Sequence, residues 1–142
     1  MPLKIFVDSD VVISSLFSSK GAAFLLIQQF EDIKLFISNL SQKELEIVST
    51  RLDISQGELK SLVEKRFNIV ELRLTGDQAR EKYKDYVSDI HDAHIVLGAK
   101  EAKVRFLITY NIKDYKLEKI KQDFNILVMT PGQLLQYLRS LQ

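Results

Sequence analysis

The chain contains no cysteine, so a disulfide framework and a thiolate metal site are both excluded. It also has no excess of positive charge: 20 basic residues stand against 19 acidic ones, for a formal net charge of +1. A strongly basic chain would have pointed to phosphate; this balance excludes neither a nucleic-acid partner nor an acidic one. The apolar start meets Asp8 and Asp10 after only a few residues, too soon for a secretion signal or a membrane span. A soluble, cytoplasmic protein without membrane contact is expected. Linkers, internal repeats and low-complexity tracts are missing as well. At 142 residues and 46% hydrophobic content, residues 1–142 are expected to form a single domain around one respectable core.

What is present is an alternation of two periodicities. Residues 3–7 form a short, largely apolar run ending at Asp8, the pattern of a strand covered on both faces. Val11–Ile13 reads as a short helix before a serine-rich turn, and helical spacing follows over residues 22–30. A second strand is predicted over residues 34–37 and a helix over 41–52, where Ser41 and Glu44 have the form of a capping box. Helical spacing recurs over 57–67, a more exposed strand is predicted over 69–72, and another helix follows Thr75-Gly76 as far as Tyr86.

Asp89 is the expected cap of a helix over 89–102, whose Ala93, Gly98, Ala99 and Ala102 are small enough to let it lie close on a sheet. A buried strand over 105–109, a polar stretch with at most one short helix over 110–123, and a strand over 126–129 come next. Pro131 then opens the last helix, with Leu134, Leu135, Leu138 and Leu141 as its apolar face. Such alternation predicts a mainly parallel sheet sandwiched between helices.

In open parallel sheets ligands gather beyond the carboxyl ends of the strands, where strand order reverses. Asp8 follows the first strand, Glu44 lies early on the helix after the second, and Asp92 sits in the first turn of the helix leading to the fourth. Asn111 and Asp114 follow that strand. Uncompensated carboxylates repel, so a cluster of this kind needs a cation, and oxygen-only donors suit Mg²⁺ or Mn²⁺. Plainer explanations stand beside each residue. Asp8 is also a turn or cap residue, Glu44 is accounted for by the capping box, and Asp89 and Asp92 by the helix dipole.

His91 and His94 lack matching zinc partners and read as solvated helix positions. Lys100, Lys103, Arg105, Lys113, Lys116, Lys119 and Lys121, near the expected cleft, are interleaved with acids and read as an ordinary charged surface, with RNA-backbone contact second.

The ordered set resembles the PIN-domain family, which includes the ribonuclease toxins of bacterial and archaeal toxin–antitoxin pairs. The block Phe6-Val7-Asp8-Ser9-Asp10-Val11-Val12-Ile13-Ser14 is similar to the family's opening strand: an acid, a small hydroxyl residue, a polar residue and an apolar run. Asp89-Ile90-His91-Asp92-Ala93-His94-Ile95-Val96-Leu97-Gly98-Ala99, with Phe106-Leu107-Ile108-Thr109-Tyr110-Asn111, is similar to its central helix and fourth strand. Glu44-Leu45 and Thr130-Pro131-Gly132-Gln133-Leu134-Leu135 match its early helix and closing segment.

The resemblance implies a three-layer α/β/α sandwich with a mainly parallel sheet of four or five strands, and a Mg²⁺- or Mn²⁺-dependent endoribonuclease. In it Asp8, Glu44 and Asp92 hold metal, Asn111 or Asp114 completes the site, Ser9 orients metal or water, and Asp89 and Thr109 support it. Many members carry an acid where this chain has Asn111, which offers a carbonyl oxygen but less charge. The implied partners are RNA, a small antitoxin and a second copy of the chain, with residues 41–67 and the last helix as candidate contact surfaces. The rivals are a non-catalytic PIN-like module that binds RNA or acts as a scaffold, and a phosphoacceptor signalling domain. The latter needs a lysine after the last strand, and Met129-Thr130-Pro131 offers none.

Overall fold

The computed structural model describes residues 2–141. Five strands form one sheet: β1 (Leu3–Val7), β2 (Ile33–Ser38), β3 (Phe67–Val70), β4 (Phe106–Ile108) and β5 (Leu127–Met129), in the order β3-β2-β1-β4-β5. Every pairing is parallel, so each strand must be followed by a crossover, and the crossovers supply the helices on both faces.

Those helices are α1 (Ser9–Phe17), α2 (Ala22–Phe24, running into a π turn at Leu25–Gln29), α3 (Asn39–Arg51), α4 (Gln56–Arg66), α5 (Gly76–Tyr83), α6 (Ala93–Ala102), α7 (Leu117–Phe124) and α8 (Pro131–Ser140). Alternation along the strands divides the core in two. Ile5, Val7, Leu35, Ile37, Phe106 and Ile108 face α1, α2, α3, α4 and α8. Phe6 and Leu107 face α5, α6 and α7. The three-layer α/β/α sandwich expected from the sequence is therefore the observed one.

Small residues on α6 have the expected use. At Gly98 an added Cβ would overlap the Phe6 ring at the centre of the sheet, so the absence of a side chain sets how closely α6 approaches β1.

Several boundaries differ from the sequence reading, each for a local reason. α1 extends from Ser9 to Phe17 instead of stopping at Ile13; Ser15, buried within it, satisfies its hydroxyl by donating to the Val12 carbonyl at 2.7 Å, so the serine-rich stretch does not interrupt the helix. Phe67, expected to end a helix, is the first residue of β3, where it pairs with Leu35. There, sheet pairing and burial outweigh its helical spacing from Val63.

α3 starts two residues before Ser41, with Ser38 as its cap accepting from the Ser41 amide at 3.0 Å. The Ser41–Glu44 capping box is thus not formed, and Glu44 is left for other contacts. The helix expected from Asp89 begins as a 3-10 turn, Ile90–Asp92, with α6 proper starting at Ala93. The polar stretch after β4 holds a 3-10 turn at Ile112–Asp114 and then α7.

Candidate active site

Strand order reverses between β1 and β4: the chain first builds outward through β2 and β3, then returns to the other side of β1. The carboxyl ends of these two adjacent strands carry Asp8 and Thr109.

Asp8 is held from four directions. Its own amide donates to the Ile108 carbonyl at 2.9 Å, its Oδ1 accepts from the Ser9 amide at 2.7 Å, and its Oδ2 accepts from Thr109 Oγ1 at 2.9 Å and the Tyr115 hydroxyl at 2.7 Å. Burial raises this carboxyl, and the charge of Glu44 adds to the rise. The donors from Tyr115, Thr109 and Ser9 oppose it. Tyr115 in turn is raised well above the ordinary phenol range by burial and by Asp8, Asp92 and Asp10. It remains a protonated donor.

Asp10, in the first turn of α1, turns back towards the end of β4. Its Oδ2 accepts from the Tyr110 amide and from Asn111 Nδ2, both at 3.1 Å, while its buried Oδ1 has no hydrogen-bond partner among the described residues. Burial first, then the charge of Asp8, push it up to about 7. Asn111 therefore spends its amide nitrogen on Asp10, and its backbone amide donates to Thr109 Oγ1 at 3.0 Å.

Glu44 enters from α3. Ser9 Oγ donates to its Oε1 at 2.5 Å, and His94 Nε2 lies 3.2 Å from its Oε2. Burial alone would raise Glu44, but the bonds from His94 and Ser9, with the charges of His94 and His91, bring it below its ordinary value. His94 is thus a packed partner of the site, not the solvated helix position read from sequence. His91 is exposed as expected.

Asp92 is half-buried at the junction of the 3-10 turn and α6 and makes no cap bond. Burial, then the charges of Asp8, Asp89, Asp114 and Glu44, push it up to about 7. That dependence places Asp92 within the field of four other acids, which come from the end of β1, from α3, from its own turn and from the turn after β4. Asp89 is exposed and caps the 3-10 turn by accepting from the His91 amide at 3.0 Å. Asp114 is half-buried, and its carbonyl accepts from the Ser88 amide at 2.8 Å.

Lone pairs decide what this arrangement can hold. Asp8 Oδ2 is saturated, Asp8 Oδ1 and both Glu44 oxygens are singly engaged, and Asp10 Oδ1 is wholly unspent. An oxygen-only donor set with surplus negative charge fits a hard divalent cation. Among the described residues, no three acid or imidazole groups are already drawn to coordinating distance of a common point.

Asp10, His94 and Tyr115 are the participants that sequence reasoning missed. Asp10 had a signal, lying one residue beyond the Asp8-Ser9 pair. The other two are defined only by contacts across the chain. The basic residues Lys103 and Arg105 immediately precede β4, and with Lys100, Phe124 and Asn125 they line a cleft at the amino end of the strands. They are therefore at the opposite end of the sheet from Asp8, not near the cleft as the sequence had indicated.

A model of the PIN domain matches residues 4–113. The chain belongs to the PIN-domain family. Members of this family are generally nucleases that use a divalent metal. Solved structures with the same PIN fold include the VapBC2 complex of Rickettsia felis bound to a promoter DNA fragment, with 15% identity, TM-score 0.58, and 90% of this chain and 98% of the other covered. A toxin–antitoxin complex from Klebsiella pneumoniae gives 23% identity, TM-score 0.60, and coverage of 89% and 97%. FitAB bound to a DNA fragment gives 15%, 0.52, and 89% and 94%. At these identities the likeness speaks for the fold. No curated protein sequence matches the chain. No single helix among the described residues is long and apolar enough to cross a membrane.

Proposed function

We propose that this PIN domain, taken as one unit over residues 1–142, is a Mg²⁺- or Mn²⁺-dependent endoribonuclease. The observation that carries the reading is the gathering of Asp8, Asp114 and Glu44 around Asp92 at the carboxyl ends of β1 and β4, where burial first and then the charges of these neighbours raise Asp92 to about 7. A cation would relieve that repulsion.

In this reading Asp8, Glu44 and Asp92 hold the metal, with Asn111 through its carbonyl oxygen or Asp114 completing the set. Asp8 is the rigid member, fixed by Thr109 and Tyr115. Ser9 steers Glu44 through their 2.5 Å bond. Asp89 orders the turn that carries Asp92. Asp92, whose side chain makes no cap bond, would be available to complete the set. When bound, the metal supplies positive charge that shields the phosphate oxygens and lowers the pKa of the attacking water.

The similar folds in toxin–antitoxin complexes support a toxin role with a small antitoxin as partner; a homodimer as the working assembly and the cytoplasm as location belong to the same proposal. The deciding experiment is cleavage of a fluorophore–quencher single-stranded RNA by purified protein. Mn²⁺ should restore cleavage after EDTA treatment, and Asp8→Asn and Asp92→Asn should each lower it about a hundredfold or more, the scale of lost electrostatic stabilisation. Undiminished cleavage by Asp8→Asn would refute the assignment. Because the acids are not pre-drawn around one point, a non-catalytic module that binds or scaffolds RNA is the second reading. Calorimetric titration with Mn²⁺ separates the two, since the second reading requires no binding.

A further inference from the structure

Beside Glu44, on the side away from Asp8's hydrogen-bonded pocket, lies an open cleft of about 360 Å³ between α3, the start of α5 and the His91–His94 segment. Leu40, Val48 and Ile47 give it an apolar lining, Ile47 with 62% of its surface exposed. Its rim carries Arg51, Arg80 and His91. The only carboxylate lining it, Glu44, has both oxygens already engaged by Ser9 and His94.

An exposed isoleucine beside two guanidinium groups is an unusual way to finish a helix surface. Arg80 shares its guanidinium with Asp77, but Arg51 makes no ion pair among the described residues. Arg51 and Ile47 lie four residues apart on α3, on the same face and one turn above the other. A flat apolar surface flanked by cations is complementary to a nucleotide, whose base has two apolar faces and whose phosphate is anionic. A protein segment would be expected to meet such a rim with acids, and an RNA strand meets it with every phosphate.

We propose that this cleft is a nucleotide subsite of the nuclease, seating the base of a residue next to the scissile phosphate on Ile47, Leu40 and Val48 while Arg51 and Arg80 hold its backbone. The assignment rests on the ribonuclease reading and adds the strand's path: single-stranded RNA leaves the acidic centre over Glu44 and His94 and runs along α3.

The test is fluorescence anisotropy of a labelled single-stranded RNA oligonucleotide on the full chain in EDTA, with wild type, Arg51→Ala and Ile47→Ala, repeated across a salt series. Ile47→Ala should weaken binding about fivefold or more without altering the salt dependence, as expected for a lost base contact. Arg51→Ala should weaken binding and reduce the slope of log Kd against log salt by about 0.7, the value for one lost phosphate contact on a single strand. Both positions are on the surface of α3, and circular dichroism would confirm that the variants fold.

Wild-type affinity and slope in both variants would overturn the subsite. If those variants also cleave RNA like wild type, the nuclease reading survives that loss. Poly-glutamate competing as well as poly-uridylate would also overturn it, because the cleft would then be reading polypeptide charge. Failure of wild type to bind or cleave any RNA would overturn both readings together.

Discussion

His94 Nε2 lies 3.2 Å from Glu44 Oε2, joining α6 to α3 across the mouth of the site with only 13% of the histidine side chain exposed. The imidazole and Ser9 between them occupy one lone pair on each Glu44 oxygen. Removing the imidazole therefore frees the carboxylate to rotate without altering its charge. His94→Ala should lower RNA cleavage about tenfold or more and raise the Mn²⁺ concentration needed for half-maximal rate, the scale of lost ligand support. The stability loss should be small, about 1 kcal/mol by urea unfolding. A variant with wild-type metal dependence would show that Glu44 needs no such support.

The Tyr115 hydroxyl bond to Asp8 is testable without reference to catalysis. Phe fills the same space but leaves Asp8 Oδ2 with Thr109 alone. Because the phenol donates to the ionised carboxyl and pulls it down against its burial, Tyr115→Phe should cost about 1–3 kcal/mol, the range for a hydrogen bond to a charged group. The cost should grow as pH rises through the titration of Asp8, as measured by chemical denaturation across a pH series. A cost independent of pH would mean that Asp8 keeps one charge state over the whole series.

The pH dependence of the metal-free protein follows from Asp10 and Asp92, whose carboxyls are pushed up to about 7 from an ordinary 3.8. Between those values the native state keeps protons that the unfolded chain has released, so stability falls as pH rises through the window and levels off above 7. In EDTA the Tm should be lower at pH 7.5 than at pH 5, on the order of 5 °C. The double variant Asp10→Asn/Asp92→Asn should flatten the curve, and excess Mn²⁺ should raise the Tm more at pH 7.5 than at pH 5. A wild-type profile that rises with pH in EDTA would contradict the account.

Gly98 gives a purely steric prediction. Its missing Cβ is what admits the Phe6 ring, so Gly98→Ala should destabilise by about 1–3 kcal/mol through overpacking despite alanine's better helix propensity. Phe6→Leu introduced with it should recover part of that loss. Thermal unfolding of the single and double variants measures the coupling.

The alternation of buried strands and helices was legible because both periodicities are strong here. Ile5, Phe6 and Val7 are buried on both faces, and the small residues of α6 marked its close approach. Boundaries were less legible where a tertiary contact decides them. Phe67 has helical spacing from Val63 yet pairs with Leu35, and Ser38, not Ser41, caps α3. In the site, Asp8, Glu44 and Asp92 could be singled out by type and position after strands or early on helices. His94 and Tyr115 could not, since each is defined by a partner 50 or 107 residues away.

That separation matters for a chain made from its amino terminus onward. Thr109 and Tyr115, which hold the Oδ2 of Asp8, leave the ribosome 101 and 107 residues after it. The central strand β1 likewise waits for β4 before its second edge is covered. A chain truncated before β4 therefore lacks both the strand that covers the second edge of β1 and the two hydroxyl donors that hold Asp8.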